Sequence, residues 1–550
     1  MMKKKLVYFT LVCLPFFAAF PQDGELRDTP STDGVPPGGI AETRPAAANL
    51  EELTVLLSGM ELELDFRKSY LASEAQVYTA LYEGLFSYHP SSMEPIPAAA
   101  SSWDLSEDKK QWTFTLREDA RYNNGDPVKA ADFRAAWISS LEMGDASPYS
   151  SLLDIIEGAR DYRLGIHNDR AKIGIEAPDD RTLKVKLVSP ASFFRRILCH
   201  HSFSPIHPSM LAKKDWSKIP LVSNGPFAIA ENNFNAEKHS VVFERNENYW
   251  DVENVPLKKI TIKYPEDGDE AAALWNSGEA RWIAGEVNVE ALTDRSGIEV
   301  NPMFATHYYF IRSARKPWND WRLRRALAIS IPWEELRKEY ILPAKTLIFP
   351  LPGYPKIGGM DETNITEAQK LLKDSGHAKG KGLPDLIVRL TPSQEAARIG
   401  ALMAKSWKEN LGIKVKIEVL PYEKYFGSLR GNDYDIASST WIGDFADPYT
   451  FLQMWRKDSN LNDARHNDSD YEKLIDDSMR QEGRERWQTL AKAEELLLDR
   501  GTVLPIYYSL AVNIIDTSEI DGWFGNALDI HPFKYLSFKT FRPLPGVALR

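Results

Sequence analysis

Two aspartates in the stretch DYDIASSTWIGDFADPYTFLQMW, residues 433–455, stand in contexts that give them different work. Asp447 directly precedes Pro448 and an apolar run in which Phe451, Leu452 and Trp455 share a face, the pattern of a helix N-cap followed by Pro at the first helical position. Its role is structural. Asp444 follows a predicted short buried strand, Asp435–Trp441, and lies between Gly443 and Phe445 with no such local use. Strand-end loops present functional groups from a rigid sheet, and a carboxylate among aromatics suits a cationic ligand group. The alternative for Asp444 is an exposed loop residue that caps a turn.

Other chemistry-bearing residues lead less far. Cys199, His200, His201 and His207 are of zinc-ligand type, but adjacent His on a strand face opposite ways, and neither HExxH nor paired CxxC spacing occurs, so no metal is expected. Gly376 to Lys381 is one residue short of a phosphate loop and continues with Gly382 where Ser or Thr would hold magnesium. No nucleophile elbow is present. Binding without catalysis or cofactor is the reading; an exported hydrolase whose triad the spacing hides and an adhesin or chaperone on the same scaffold are its rivals.

The elements that must position these residues belong to a chain of 550 residues, enough for about three domains. With 43% hydrophobic and 26% charged residues it can bury sizeable cores. Lys3, Lys4 and Lys5 precede an apolar run from Leu6 to Phe20, the charge and length of an export signal. Three fates stand open for it: lipidation at Cys13, cleavage near Ala18 or Ala19, and retention as an uncleaved anchor. No later stretch is long and apolar enough to span a bilayer. Residues 21–50 hold five Pro and four Gly and read as a flexible linker. The net charge is −11, and it becomes −14 without residues 1–20, which disfavours nucleic acid as a partner. Cys199 has no partner once residues 1–20 are gone, so no disulfide framework is expected.

Periodicity places a strand at LTVLLSG from Leu53, a helix over Glu74–Leu85, and a strand at WTFTLR. An Asn124–Gly125–Asp126–Pro127 turn and a helix from Lys129 with Phe133, Trp137 and Leu141 on one face follow. A hairpin runs through the Pro-Asp-Asp turn of IEAPDDRTLKVKLVSP. CHHSFSPIHP is expected as a strand. Strands flank Gly225–Pro226 and end at Tyr249–Trp250, and a helix and strand lie in ALWNSGEARWI. A strand of aromatics from His307 precedes a helix starting at Asn319–Asp320, whose Arg322, Arg324 and Arg325 are expected in surface pairs. Strands and helices alternate from Leu383 to Arg430, which implies a partly parallel α/β domain.

Residues 112–137, 223–251 and 433–455 together resemble the family 5 extracellular solute-binding proteins, the oligopeptide- and dipeptide-binding components of ABC importers. The resemblance implies an α/β, two-lobed periplasmic-binding-protein-like fold (class II, large peptide-binding type) with an additional small inserted domain. It divides the chain into a signal peptide (1–20), the linker (21–50), lobe I (51–82, 207–304 and 521–550), the inserted domain (83–206) and lobe II (305–520). A monomeric, exported protein that closes on short peptides and delivers them to a membrane permease is the implied function; some relatives bind metal chelates instead.

By the same resemblance Asp444 holds the peptide α-ammonium with Trp441 beside it. An extended segment at Leu71, Ala72 and Ser73 lies opposite the Ser439–Thr440–Trp441 strand, both pairing with the peptide backbone; the alternative for Ser73 is a helix N-cap. Tyr149 matches an aromatic that faces the cleft. Positions where some relatives carry a cysteine pair are Ala305 and Ile442 here, so no disulfide links the lobes. Positions that supply basic residues for the peptide carboxylate are Ser438 and Ala328, neither of them charged. Water, another base or a longer peptide then meets that end, and Arg430 is the candidate base.

Overall fold

The computed structural model describes residues 47, 49–58, 62–235 and 239–539. The expected export signal, and the linker up to residue 46, lie outside them. Strand β1 (Glu52–Leu57) buries Leu53, Val55, Leu56 and Leu57, so apolar side chains point to both faces, as in a strand covered on each side. Helix Ala72–Leu81 follows and sends Val77, Tyr78, Ala80 and Leu81 into the same core. Strands β2 (Phe86–Tyr88) and β3 (Pro95–Pro97) make a small hairpin. A separate antiparallel sheet holds β4 (Ala100–Leu105), β5 (Gln111–Leu116), β6 (Ile175–Glu176) and β7 (Thr182–Lys186) in the order β4-β5-β7-β6. Gly125, at φ +88°, makes the turn that Asn-Gly-Asp-Pro predicts, and helix Ala130–Glu142 buries Phe133, Trp137 and Leu141.

The remaining long strands are β8 (Phe227–Asn235), β9 (Ser240–Arg245), β10 (Lys259–Lys263), β11 (Trp282–Ala284), β12 (Ile298–Ile311), β13 (Leu386–Leu390), β14 (Val415–Val419), β15 (Ile436–Ile442) and β16 (Val503–Ile515). They join β1 in one ten-stranded sheet, order β14-β13-β15-β12-β16-β11-β1-β10-β9-β8, and a short β17 (Ile520–Asp521) and β18 (Ser537–Phe538) pair follows. At one end β11, β1 and β10 run parallel; at the other β14, β13 and β15 do. Between them stand β12 and β16, antiparallel, 14 and 13 residues long. Each has one end in each half. Ile514 and Ile515 of β16 pair with β11, and residues 298–302 of β12 flank β16 on its other side; at the opposite end residues 305–311 of β12 pair with β15, and residues 503–508 of β16 flank β12. The ladder slips between Pro302 and Thr306, where proline has no N–H to donate and Phe304 N donates to Ala527 O at 2.7 Å instead. Two main cores form, one mostly around β1, β10 and the four-stranded unit and joined by Phe445 and Met479, the other mostly around β12, β13 and helices Trp321–Ile329, Gln394–Leu411 and Gly483–Asp499 and joined by Tyr88 and Met93.

Several expectations need correction. The first helix begins at Ala72 and ends at Leu81, so Ala72 and Ser73 are helical, and Leu71, extended at φ −93° and ψ 136°, takes the N-cap position that Ser73 was weighed for. His201–Phe203 is a short 3-10 turn, not part of a strand, so the His200 and His201 rings do not face opposite ways but lie 4.0 Å apart. Arg324 is buried and donates to Trp318 O at 2.8 Å; only Arg322 and Arg325 make the expected pairs, with Asp320 and Asp499. Ala305 and Ile442 are direct cross-strand partners within one sheet, so a bridge there would staple β12 to β15 and not one lobe to the other.

Asp447 is structural, and by more than a cap. Its Oδ1 accepts from Tyr449 N at 2.9 Å, while both carboxylate oxygens accept from Arg486 at 2.8 and 2.9 Å in a fully buried pair. Removing one partner strands a buried charge. Asp447→Ala is therefore expected to lower unfolding free energy by about 3–5 kcal/mol, well beyond the ~1 kcal/mol of a lost cap; urea denaturation with a loss near 1 kcal/mol would refute the ion pair's part. Cys199 is a free, half-buried thiol. Melting curves with and without reductant are expected to coincide.

Candidate functional site

Strand β15 pairs with β12 along its whole length, from Ile436 opposite Ile311 to Ile442 opposite Ala305. Its other edge meets β13 only at Ile436, opposite Val388. Two residues on, the Tyr425 hydroxyl takes a strand's place: it accepts from Ser438 N at 2.8 Å and donates to Ser438 O at 2.9 Å. Backbone groups in an antiparallel pair alternate sides. Thr440 and Ile442 therefore turn their N–H and C=O the same way as Ser438, and among the described residues no strand pairs with them there.

The open edge ends at Asp444, whose side chain is buried. The sequence left this carboxylate without local use; the structure gives it some. Asp444 N donates to Thr450 Oγ1 at 2.9 Å, and the Thr450 hydroxyl donates back to Oδ2 at 3.0 Å. The Tyr149 hydroxyl also bonds the carboxylate, and Tyr88 Oη donates to Asp444 O at 3.0 Å. All these partners are uncharged. Among the described residues the one basic side chain at hand is His200, its Nε2 at 3.9 Å from Oδ1, and burial pushes that imidazole down to about 3, so it is neutral at pH 7. With burial uncompensated by a cation, the Asp444 carboxyl rises to about 7. The site lacks one positive charge.

Aromatic rings wall this carboxylate. The Tyr149 ring lies 4.5 Å from His200 and 6.5 Å from Trp441, and Tyr78 lies 4.9 Å from His201. Trp441 Nε1 and His201 Nε2 are buried without a hydrogen-bond partner, polar groups that a ligand or water would satisfy. Asp444 and Trp441 come from the β15 half, Tyr88, Tyr149 and His200 from the chain around the four-stranded sheet, so the cluster spans a junction between two folded units.

Three of the residues read from the sequence, Asp444, Trp441 and Tyr149, thus come together. Ser439 is bonded by the Tyr308 hydroxyl, and Thr440 Oγ1 lies 2.9 Å from His307 Nδ1. The loop before Ala72 faces the β15 half, since the charges of Arg430 and Asp463 act on the Tyr70 hydroxyl. Arg430 is exposed and its Nη1 donates to Asp145 O at 3.0 Å, apart from the Asp444 cluster. Sequence reasoning missed Tyr88, His200 and Thr450. Thr450 had a signal, its place in the turn capped by Asp447; Tyr88 and His200 had none, because only the fold carries them to Asp444. Among the described residues no group of three or more His, Cys, Asp or Glu could hold a metal ion, and no helix is long and apolar enough to cross a membrane.

The fold has known counterparts. Residues 94–463 match the model for bacterial extracellular solute-binding proteins, family 5. The oligopeptide-binding protein OppA of Bacillus subtilis is 30% identical over 440 residues, which cover 76% of this chain and 80% of that protein. The structure of the Escherichia coli murein tripeptide binding protein MppA superposes with a TM-score of 0.78 at 25% identity, covering 90% of this chain and 99% of that one. Haemophilus influenzae OppA, in complex with the peptide RPPGFSPFR, gives a TM-score of 0.75 at 25% identity over 89% of this chain and 99% of that one. The match spans well over half of the sequence, and the chain belongs to the bacterial extracellular solute-binding proteins of family 5.

Proposed function

We propose that this chain is an exported peptide receptor that captures short peptides by their free N-terminus and hands them to the permease of an ABC importer, without turnover. The observation that carries this reading is the open edge of β15 leading directly to a buried carboxylate with no cation beside it. An extended peptide supplies both missing partners: backbone groups for Thr440 and Ile442, and an α-ammonium for Asp444. Backbone pairing is blind to side chains, which suits a receptor for peptides of many sequences. The relatives support the same ligand class, since they are named as oligopeptide- and murein-peptide-binding proteins and one was solved with a nonapeptide.

The division into lobe I, an inserted domain and lobe II at residues 83, 207, 305 and 521 belongs to this proposal, as do a monomeric state, export by residues 1–20 and backbone contacts from the extended Leu71. It is supported by the two main cores and by the pairing of β12 with β16 across both halves. Closure is a hinge movement selected by a ligand that touches both sides. Arg160 with Asp458, and Arg163 Nη1 with Asn460 Oδ1 at 2.8 Å, tie the four-stranded unit to the β15 half.

Asp444→Asn is expected to cost roughly 2–5 kcal/mol of peptide binding, more than tenfold at about 1.4 kcal/mol per decade. Calorimetry tests it, and equal binding of an N-acetylated peptide by the parent protein would overturn the assignment. The pH dependence follows from the raised carboxyl. Below about 7 the free site is protonated, and it must release that proton to meet the ammonium. Affinity is expected to fall by up to about tenfold per pH unit below 7, with proton release seen as a buffer-dependent heat, and Asp444→Asn is expected to abolish that release. For the free protein the sign is opposite to the usual carboxylate case: the stability that protonated Asp444 contributes is full below pH 3.8 and is lost as pH rises through 7.

For the far end of the peptide Arg430 remains the candidate base. A series of two to six residues, free acid against C-terminal amide, is expected to show a graded length preference and an amide penalty that Arg430→Ala removes. A sharp preference for one length, or a penalty indifferent to Arg430, would refute it.

A further inference from the structure

Side chains alternate along a strand, so Thr440 faces away from Trp441. On its side three aromatic rings stack in line. His307 is the direct cross-strand partner of Thr440. The Tyr507 ring lies 4.9 Å from the His307 ring at an interplanar angle of 17°, and the Tyr340 ring lies 4.4 Å from Tyr507 at 25°. Glu395, near the start of helix Gln394–Leu411, closes the stack: the Tyr507 hydroxyl donates to its Oε2 at 3.3 Å, and the Tyr340 hydroxyl bonds it as well. Among the described residues Glu395 forms no ion pair. The nearby Arg398 is taken by Glu339, Nε to Oε2 at 3.3 Å, and by the Tyr340 hydroxyl at 3.0 Å. Two carboxylates thus stand against one guanidinium, and His307, Tyr340 and Glu395 are all partly exposed.

A peptide added to the edge at Thr440 and Ile442 points alternate side chains to the two faces. One set meets Trp441 and Tyr149; the other meets this stack. We propose that Glu395, with the hydroxyls of Tyr340 and Tyr507 beside it, forms a subsite for a lysine or arginine side chain at the third or a later residue of the bound peptide. The inference rests on the peptide-binding reading above. The position follows from distance: Thr440 lies four residues before Asp444, and a strand advances about 3.3 Å per residue, so the first two peptide residues do not reach it. Charge-assisted hydrogen bonds to a carboxylate orient a guanidinium or ammonium, and Glu395 supplies the counter-charge. Burial pushes His307 down to about 4 and leaves it neutral at pH 7, so among the described residues the one cation on the stack is Arg398, 5.5 Å from the Tyr340 ring centre and already paired with Glu339.

Calorimetry with penta-alanine carrying one arginine at each position in turn tests this. A gain of roughly tenfold is expected at one position from the third onward, and Glu395→Gln is expected to bring the arginine-to-alanine ratio within about twofold of one. Citrulline in place of arginine, tested on the parent protein, needs no variant and is expected to erase the gain. Penta-alanine binding with no arginine preference, a preference that survives Glu395→Gln in a folded variant, or equal affinity for citrulline would each overturn the subsite and leave the peptide reading intact. Failure of every peptide to bind would overturn both.

Discussion

The pairing of β12 with β16 is the constraint on which the rest depends. These two strands are the middle of a single sheet, yet Tyr308, Tyr309, Phe310, Val503 and Leu504 belong to one core while Ile514 and Ile515, at the far end of β16, belong to others. A backbone ladder is stiff in the plane of the sheet and twists easily about the strand axis, and the slip at Pro302–Thr306 removes ladder bonds at the point where the halves meet. The turn of one body against the other that is proposed above would bend the sheet there and part Phe445 and Met479 from the first core and Tyr88 and Met93 from the second. The binding cluster depends on the same arrangement, since Asp444 and Trp441 ride on one body and meet residues carried by another unit.

Asp444 shows how a fold prepares charge. In water a carboxylate needs no help, but here it is buried against hydroxyls and rings. Thr450 and Tyr149 orient it and offset part of its desolvation without supplying opposite charge. On the proposed reading an arriving ammonium completes the set, with the free N-terminus as the discriminating feature and the backbone edge of β15 holding the rest of the peptide. A cation built into the site, for example a protonated His200, would have satisfied Asp444 in advance; burial keeps that ring neutral.

Much of this was legible in the sequence because it was local. The Asp447–Pro448 cap, the Gly125 turn, the strand before Asp444 and the N-cap at Asp320 are set by residues within a few positions of each other. What escaped was long-range. Arg486 lies 39 residues from Asp447 and nothing in its surroundings marks it as that residue's partner. Burial of Arg324 is decided by the packing of Trp318 and not by helix periodicity. The start of the first helix moved to Ala72 because Glu74 accepts from Ser69 and Glu63 across the turn, which organises the residues before it more than Ser73 does. The His200–His201 segment failed as a strand for a related reason: the His200 ring accepts from Ser202 N, a local bond that closes a turn.

The unpaired edge of β15 has a further consequence. An exposed strand edge is a template for aggregation, and proteins ordinarily blunt theirs with charge, proline or a bulge. This edge is blunted by none of these along Ser439–Ile442; instead Tyr425 seals one end, Asp444 the other, and Tyr149 stands opposite. On the peptide-binding reading, an edge closed at both ends in this way leaves room for one short strand and little for another protein's sheet.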